Sequence, residues 1–551
     1  MLNRLIQLKS SVSNEIVSHF RLLSVDKKSI LEYFSSPYRI ILIIIFTILF
    51  LPHVFVMVND LNFILAYEVD PGSIIQSILS LYQHSYNMNE GFHSRYYGWT
   101  YFSINYVLLM PIYLAKLLKF FTNDFYFFVS IRFIFFMIGL SSVLAFFEVA
   151  KRVLKHSFLS FIATLLYIAS PTVNLYFYFL HPETTGLLFS FLGVLCLLKF
   201  NDEKAGNYRW YTFGLLCLVL SALSKHFFLV TALPVLFLFY YVYCHHHNLS
   251  ILKFTFSLRF AKILGLSALF STLIFFIVNP FAFIQAKVFL ANQIAFFSGN
   301  TQSAQITNLE AILRWFEKLK SVHIMYISIL LLPITLLGAI VLGRDQKVGR
   351  MFYLVNIIGC FLYIVLVSVS MKYIIDVTYF SHIYPYFVLN FISIPLYIVR
   401  KWNVNIIKLL VMVPLAYFLF FVLLADFSVT IPEGYDRLMY KDTLTFKVYN
   451  YIEEKIPRGS KVANDHLVGL PSDKGLIDCD YWSAGCGTDY IEEFQPDYVI
   501  FSENWKFNGD TTVPGTLRLK KYISDHHFIL IDTLSDEKTY YTISVWKKPN
   551  P

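Results

Sequence analysis

The sequence is poor in charged residues. Asp, Glu, Lys and Arg make up 15% of its 551 residues, whereas a soluble domain of average composition carries about 25%. Hydrophobic residues make up 57% of the chain, aromatic residues make up 18%, and the mean hydropathy is +0.58. This composition is not that of an ordinary soluble enzyme and predicts many membrane spans, each of roughly 20 apolar residues.

Acidic residues are also in the minority, and the formal net charge is +9. The Lys and Arg residues cluster in short loops between apolar stretches, which fits the positive-inside rule of membrane proteins better than a nucleic-acid partner. We therefore expect membrane lipids, and no nucleic acid, among the partners. No cleavable signal peptide, internal repeat or low-complexity segment is evident.

Cysteine is scarce, with six residues in the chain. Four lie in or beside apolar runs and are interpreted as packing residues: Cys196, Cys217, Cys244 and Cys360. Cys479 and Cys486 lie seven positions apart in a polar tail. If that tail faces an oxidising compartment, these two thiols could pair as a disulfide.

Apolar stretches recur along the chain from 38–58 to 406–425. The basic loops are expected inside, which places the N-terminal segment inside and the polar tail outside. Because the two termini lie on opposite sides, the number of crossings must be odd, and we predict 11, with 13 as the alternative. One of the stretches 97–119 and 125–150 is expected to be re-entrant or interfacial, because basic residues follow both.

The pattern divides the chain into three parts. Residues 1–37 are predicted to form a cytoplasmic segment, 38–425 a transmembrane domain, and 426–551 a small extracytoplasmic α/β domain. In the last part, "FKVYNYIEEKI" indicates an amphipathic helix, and "PDYVIFS" and "YYTISVWKK" are strong strand signals. In the outer loop 280–322, "NLEAILRWFEKLK" predicts a helix lying on the membrane interface.

The first outer loop holds two acids in "AYEVDPGSII". Asp70 precedes Pro71, so it is a good N-cap for the following helix. It could equally act as a general base at the boundary of water and membrane, and Glu68 would share one side with it only in an extended conformation. In "HSRYYGWTYF" the aromatic residues suit an interfacial belt, and Arg95 could hold a phosphate.

Three further outer turns carry ionisable residues. His181 and Glu183 lie in "FYFLHPETTGLLF", where Glu183 could simply favour a helix N-terminus. Lys225 in "LSALSKHFFLVTALP" is either a snorkelling lysine or a phosphate ligand. Lys372 and His382 lie in "SMKYIIDVTYFSHIYPYFVL". The cytoplasmic "HHH" at 245–247 lacks partner residues and is read as a solvated loop, so we predict no metal site.

Acids and bases therefore gather at four outer turns of one bundle. A shared outward-facing cavity would bring them together. In such a cavity a carboxylate can accept a proton from an attacking group, and cations can stabilise a departing phosphate. This chemistry suits the transfer of a group away from a lipid phosphate.

The chain resembles the polyprenyl-phosphate-sugar-dependent integral membrane glycosyltransferases of the GT-C fold. The nearest groups are the protein O-mannosyltransferase-like enzymes and the lipid A aminoarabinose transferases. "EVDPGSIIQSI" matches the acidic motif of the family's first outer loop, and "RYYGWTYF" loosely matches its "PPLYY"-like segment. "LHPETTGLLF", "SKHFFLVTALP" and "FSHIYPYF" match its "LPD", "TKG…LP" and "RYLLP"-like turns. The order and spacing hold over roughly 38–425.

The resemblance implies an inverting transfer from a polyprenyl-phosphate sugar donor to a lipid, glycan or protein acceptor on the outer side. By position, Asp70 would be the general base and Glu183 the second catalytic acid, while Lys225 and His382 would bind the donor phosphate. Arg95, Lys372 and His181 are further candidates for that phosphate, and a bacterial inner membrane is the expected location.

This sequence departs from the family pattern at three of these positions. Proline follows Asp70 where the family has Glu, so the second acid of this Asp-Glu pair is either replaced by Glu68 or missing. Glu183 replaces an Asp, and His382 replaces an Arg or Lys. No cofactor is required by these residues, and a divalent cation stays open because metal dependence varies in the family. A transporter or flippase of lipid-linked sugars, and an inactive scaffold, are the alternatives.

Overall fold

The computed structural model describes much of the chain. The described residues are 36–55, 60, 63–64, 69–82, 99–120, 125–178, 180–225, 227–291, 307–330, 355, 357–365, 368, 377–402, 405–464, 468–474, 477–480, 488–503, 506–507, 511–512, 514–535 and 542–549.

Helices dominate the described residues up to Leu438. They are α1 (Pro37–Phe50), α2 (Pro52–Phe55), α3 (Val69–Tyr82), α4 (Thr100–Leu117), α5 (Phe125–Leu154), α6 (Ser157–Ala169), α7 (Leu175–Tyr178), α8 (Glu183–Asp202), α9 (Tyr208–Ala222), α10 (Phe228–His246), α11 (Ile251–Thr255), α12 (Leu258–Val278), α13 (Phe281–Ile284), α14 (Asn308–Lys318), α15 (His323–Leu330), α16 (Tyr384–Trp402) and α17 (Asn405–Leu438).

Six helical segments in the described part are long and apolar enough to cross a membrane. They are Pro37–Phe55, Phe125–Leu154, Glu183–Asp202, Phe228–His246, Leu258–Val278 and Lys408–Leu438. The chain is therefore an integral membrane protein, as its composition predicted. The expected total of 11 crossings stays a prediction, because this number concerns the whole chain.

The helix bundle has two distinguishable ends. We call one end the upper end: helices α8 and α10 begin there, and helix α9 finishes there. The opposite end is the lower end. α8 and α9 pack closely because small residues face the partner helix. A Cβ atom added to Gly193 of α8 would meet Leu218 of α9, and one added to Gly214 of α9 would lie 3.2 Å from Cys196 of α8.

Helix α4 stays at the upper end. The Thr100 side chain donates to the Leu220 carbonyl at 2.9 Å, which fixes the start of α4 beside the end of α9. Helix α5 must begin at the upper end, because its last turn lies at the lower end, where Arg152 pairs with Asp202 at 2.9 Å. Since α4 finishes shortly before α5 begins, the described part of 97–119 lies at the upper end, whereas α5 crosses the bundle; which stretch is interfacial stays a prediction.

Helix α3 begins at Val69, so Asp70 lies within its first turn and is not the N-cap expected from the sequence. Pro71 is therefore the third residue of the helix and not its first, as a cap at Asp70 would require. The apolar residues of α3 face protein: Ile74, Ile75 and Ile78 are fully buried and cluster with residues of α4 and α5.

The amphipathic segment of the outer loop forms helix α14, as predicted. The Thr307 hydroxyl caps it by accepting a hydrogen bond from the Glu310 amide at 3.2 Å. On its inner face Trp315 is fully buried. The helix therefore packs onto the bundle through this side chain, while Leu309 and Leu313 stay exposed.

Helix α17 continues through the boundary expected between 425 and 426. Its 34 residues span about 51 Å at ~1.5 Å per residue, which exceeds a hydrocarbon core of about 30 Å. Its last turns thus extend beyond the bilayer toward the tail. The division of the chain at 425 stays a prediction, because no discontinuity in the helix marks it.

The tail forms a small α/β unit, as the sequence predicted. Its elements are α18 (Leu444–Lys455), β1 (Lys461–Asn464), β2 (Ile477–Asp480), α19 (Thr488–Phe494), β3 (Tyr498–Ser502), β4 (Lys506–Phe507), β5 (Thr511–Thr512), α20 (Pro514–Asp525), β6 (Ile529–Ser535) and β7 (Thr542–Lys547). Five strands pair in the order β2-β1-β3-β7-β6. β1 pairs in parallel with β2 and β3, and β7 pairs antiparallel with β3 and β6.

The two faces of this sheet are covered by different helices, because alternate residues of a strand point to opposite faces. Val462, Ile500 and Val545 share a buried cluster with α18. Val499 and Phe501 share another with α20. Cys486 and the side chain of Cys479 lie outside the described residues, so their pairing stays a prediction. Four cysteines of the helical part are free thiols: Cys196, Cys217, Cys244 and Cys360.

The tail docks onto the segment that leads to α3. Asp60 is 9% exposed and accepts hydrogen bonds from the Tyr449 hydroxyl at 2.9 Å and from the Ser472 amide and hydroxyl at 2.9 and 2.8 Å. Phe63 is fully buried, with its ring 5.3 Å from that of Tyr449. Asp60 and Phe63 thus connect the chain just before Asp70 to the α/β unit.

Candidate functional site

The turn between α7 and α8 places a carboxylate inside the upper end of the bundle. Glu183 is the first residue of α8 and is fully buried. Its charge is favoured there by the positive end of the helix dipole. His181, two residues earlier, is 4% exposed, and its backbone carbonyl accepts a hydrogen bond from Thr184 at 3.2 Å.

Both oxygens of Glu183 have cationic or imidazole partners. The Lys225 ammonium donates to Oε1, and Nδ1 of His181 contacts Oε2. Lys225 comes from the turn between α9 and α10, and it is 7% exposed. A charge buried to this degree is costly unless it is paired. The three side chains therefore form one charged cluster, assembled from the two turns that the sequence had placed at the same end.

Aromatic rings complete the surroundings of Lys225. Its ammonium lies 5.2 Å from the centre of the Tyr379 ring and 5.9 Å from that of Phe227, and such contacts stabilise a buried cation. The imidazole of His181 stacks on Tyr176, with ring centroids 4.9 Å apart. These rings limit the directions in which the two side chains can move.

His382 joins this cluster from the turn before α16. It is 1% exposed, and its ring stacks on Phe228, the first residue of α10, at 4.3 Å. Nδ1 lies 3.1 Å from the Ser381 hydroxyl, and Nε2 lies 3.4 Å from that of Tyr363. The turn that holds His382 also supplies Tyr379, so three turns of the bundle meet at the site.

Helix α14 covers this site from the side of the outer loop. The Trp315 ring meets Tyr379 edge-on at 6.1 Å and Phe380 at 5.1 Å. Trp315 therefore supports the ring that contacts the Lys225 ammonium. The sequence predicted the helix but not this contact, because amphipathicity shows which face is apolar and not what it meets.

A second buried carboxylate lies in the outer part of α17. Asp426 is 3% exposed; it accepts a hydrogen bond from Tyr384 at 3.4 Å and lies 3.6 Å from Nδ1 of His323. Tyr384 follows His382 by two residues, so this cluster lies beside the first. The sequence analysis missed Asp426 as a site residue, although an acid within an apolar run is a recognised signal.

A buried cation was also missed. Arg132 is 7% exposed and lies in the first third of α5, near the upper end. Burial raises the pKa of the Tyr440 phenol, and the guanidinium of Arg132 opposes that rise, so the two groups are close. Tyr440 packs against Phe63 of the docking segment at 5.9 Å. The signal was a single Arg inside a long apolar run.

The remaining predicted residues lie outside the described part of the chain. Glu68, Arg95 and Lys372 are in this class, and so is the side chain of Asp70. The backbone of Asp70 is described in the first turn of α3, and the buried face of α3 shares an apolar cluster with Leu180, the neighbour of His181. The structure therefore brings α3 near the site without describing its carboxylate.

Metal ligation has little support among the described residues. No group of three or more His, Cys, Asp or Glu side chains there could hold a metal ion. Glu183 and His181 together would supply two ligands, and Lys225 occupies the other oxygen of Glu183. The described site therefore does not fit a metal ion with three protein ligands.

No protein-family model matches the chain, and no curated protein matches its sequence. The fold does match. The chain is similar to the crystal structure of ArnT from Cupriavidus metallidurans bound to undecaprenyl phosphate, with a TM-score of 0.51 and 10% sequence identity. The match covers 93% of this chain and 98% of that one.

The chain has the fold of ArnT. The polytopic helical GT-C architecture with a small C-terminal sheet, predicted from the sequence, is thereby confirmed. The identity is too low to assign the chain to a particular member of that group.

Proposed function

We propose that this protein is a glycosyltransferase that moves a sugar from a polyprenyl-phosphate donor to an acceptor at the upper end of the bundle. The observation that carries the proposal is the buried cluster of Glu183, Lys225, His181 and His382, at the upper end of a membrane bundle that has the fold of ArnT. ArnT is the protein solved with undecaprenyl phosphate.

In this proposal Lys225 and His382 hold the donor phosphate. Lys225 supplies a point charge, and Glu183 keeps its ammonium in place from the opposite side. Glu183 would thus position Lys225, in addition to its proposed role as the second catalytic carboxylate. Cations held in a water-poor site stabilise the charge that collects on a departing phosphate. Arg95, Lys372 and His181 are proposed to add to this charge.

Asp70 is proposed as the general base, with Glu68 as the second candidate. The acceptor's hydroxyl or amine attacks the anomeric carbon on the face opposite the phosphate, and its proton passes to the carboxylate. The carbon–oxygen bond to the phosphate breaks, and polyprenyl phosphate departs with the bonding electrons. The configuration at the anomeric carbon is therefore inverted.

We propose that the upper end faces the outside of a bacterial inner membrane, which places the α/β unit in the periplasm. The basic residues of the loops at the lower end support this orientation. The acceptor would be a lipid, glycan or protein that reaches the upper end from that side. A flippase of lipid-linked sugars is disfavoured, because the buried ionisable residues described above lie at one end and not at the midplane.

The test separates donor binding from transfer. In nanodiscs, Lys225→Met should weaken undecaprenyl phosphate binding by about 10- to 100-fold, because a hydrogen bond to a charged group contributes roughly 1.5–3 kcal/mol. The double variant Lys225→Met with Glu183→Gln removes both buried charges together and should bind as weakly while retaining its melting temperature. Lys318→Met, an exposed lysine of α14, is the matched control.

Asp70→Asn should leave that binding within about twofold but lower transfer in native membranes by roughly 10²–10⁴-fold, the range for general base catalysis. Full transfer by this variant would refute the role of Asp70. Unchanged binding by both Lys225 variants would refute the phosphate site. Transport of a labelled lipid-linked sugar without any transfer product would refute the glycosyltransferase hypothesis and support the flippase hypothesis.

A further inference from the structure

An apolar groove runs along the lower part of the bundle between α9, α10 and α12. Its volume is about 840 Å³. Leu215, Phe239 and Phe270 line it, one from each helix. Only 11% of the spanning window of α12 is buried, and its contact with the bundle includes a hydrogen bond between Ser267 and Tyr211 at 2.8 Å. Because α10 and α12 are among the helices long and apolar enough to cross a membrane, the groove lies at the depth of lipid hydrocarbon.

A cation is held at the lower mouth of the groove. The Arg259 guanidinium donates to the Tyr208 hydroxyl at 3.3 Å and lies 5.4 Å from the centre of the Tyr243 ring. Both tyrosines line the groove. Arg259 is the second residue of α12, and its side chain is exposed. The mouth thus presents a fixed planar cation, a geometry suited to a phosphate group.

Three more exposed cations lie at the same end: Arg209, Lys253 and Lys262. Within the described part of the chain, none of these or Arg259 pairs with a carboxylate. The acids described nearby are engaged elsewhere: Glu148 binds Arg39 at 2.6 Å, Asp202 binds Arg152 at 2.9 Å, and Glu203 accepts from the Trp210 indole at 2.7 Å. Among the described residues, these four cations at the mouth therefore form no ion pair with a carboxylate.

The length of the groove suits acyl chains. Along α12 it extends from Phe260 to Leu273, about 20 Å at ~1.5 Å per residue. One leaflet of the hydrocarbon core is about 15 Å thick, so acyl chains that start at the mouth extend along most of the groove.

We propose that this groove binds an anionic glycerophospholipid of the bilayer, with its acyl chains between α10 and α12 and its phosphate on Arg259. The flanking cations attract the same headgroup, as basic pockets between membrane helices do. This lipid site lies at the opposite end of the bundle from Lys225. It does not depend on the proposed transfer, and its test needs no sugar substrate.

The experiment uses the full chain in nanodiscs of equal phosphatidylcholine and phosphatidylglycerol, released into detergent for native mass spectrometry. The protein should retain at least fivefold more phosphatidylglycerol than phosphatidylcholine. The variant with Arg259→Gln, Lys253→Gln and Lys262→Gln should lose that preference, because all three side chains are exposed and their loss leaves the fold intact. Lys318→Gln with Lys320→Gln, exposed at the upper end, should keep it.

A second variant tests the groove itself. Leu233→Trp places a ring in the groove from a half-exposed position and should lower retention of both lipids about equally. Equal retention of the two lipids by the natural protein would overturn the proposal. Unchanged phosphatidylglycerol retention in the variant that carries Arg259→Gln would also overturn it. A second copy of the chain or another polypeptide bound at α12 would overturn it as well.

Discussion

The contact between Asp60 and the α/β unit offers a prediction whose size follows from the structure. Asp60→Ala removes the acceptor of three hydrogen bonds, one from Tyr449 and two from Ser472. Hydrogen bonds to a charged group contribute about 1.5–3 kcal/mol each, and they are not additive. Because Asp60 is only 9% exposed and accepts three such bonds, we expect the docking of the tail to weaken by about 3–5 kcal/mol, which is roughly 100- to 5,000-fold.

Hydrogen exchange measured by mass spectrometry is the assay. In Asp60→Ala the amides of α3 and of the 468–474 segment should exchange faster together, while those of α8 and α9 should not change. Tyr449→Phe removes one of the three hydrogen bonds and should produce a smaller effect in the same segments. The two substitutions should couple by about 0.5–3 kcal/mol, because they remove the same contact.

Asp442→Ala provides the matched control, because this acid is exposed in the turn between α17 and α18. It should leave the exchange of both segments unchanged. If Asp60→Ala behaves like Asp442→Ala, the contact of Asp60 with Tyr449 and Ser472 does not hold the segment before α3 to the tail.

Two further predictions concern the packing around the site. Gly186→Ala should destabilise the protein by about 1–3 kcal/mol and weaken undecaprenyl phosphate binding, because the new Cβ overlaps the buried Phe228 ring. Gly265→Ala, where nothing lies within 4 Å, should stabilise its helix by up to about 1 kcal/mol; equal melting temperatures for the two variants would contradict this reading. Trp315→Ala should lower the stability of the protein by about 3–5 kcal/mol, because it creates a cavity. In preparations that stay folded it should also weaken undecaprenyl phosphate binding, because Tyr379 loses its support. Unaltered binding would show that α14 plays no part at the site.

Much of the architecture follows from local sequence pattern. The strands "PDYVIFS" and "YYTISVWKK" were predictable because both runs are short and rich in β-branched and aromatic residues. The helix at Asn308–Lys318 was predictable from its periodicity, and its position on the membrane interface stays a prediction. The start of α3 was not, since the Asp-Pro signal for a cap was overridden and the helix begins at Val69.

The candidate site was only partly predictable. The alternation of spans placed Glu183, Lys225 and His382 at one end, so their proximity could be expected. Asp426 and Arg132, which stand inside apolar runs, were not predicted as site residues, and neither was Trp315. All three side chains are buried, and which buried side chains meet depends on the packing of helices and not on the local run.

The sequence by itself determined that this protein is a polytopic membrane protein with a small α/β tail, and which of its turns share an end. Composition and periodicity are local properties, and they are enough for that. Only the tertiary structure decided that Glu183 meets Lys225, 42 residues away, and that Asp60 meets Tyr449, 389 residues away. Such contacts depend on how helices pack, and close packing is set by the shapes of all the neighbours together.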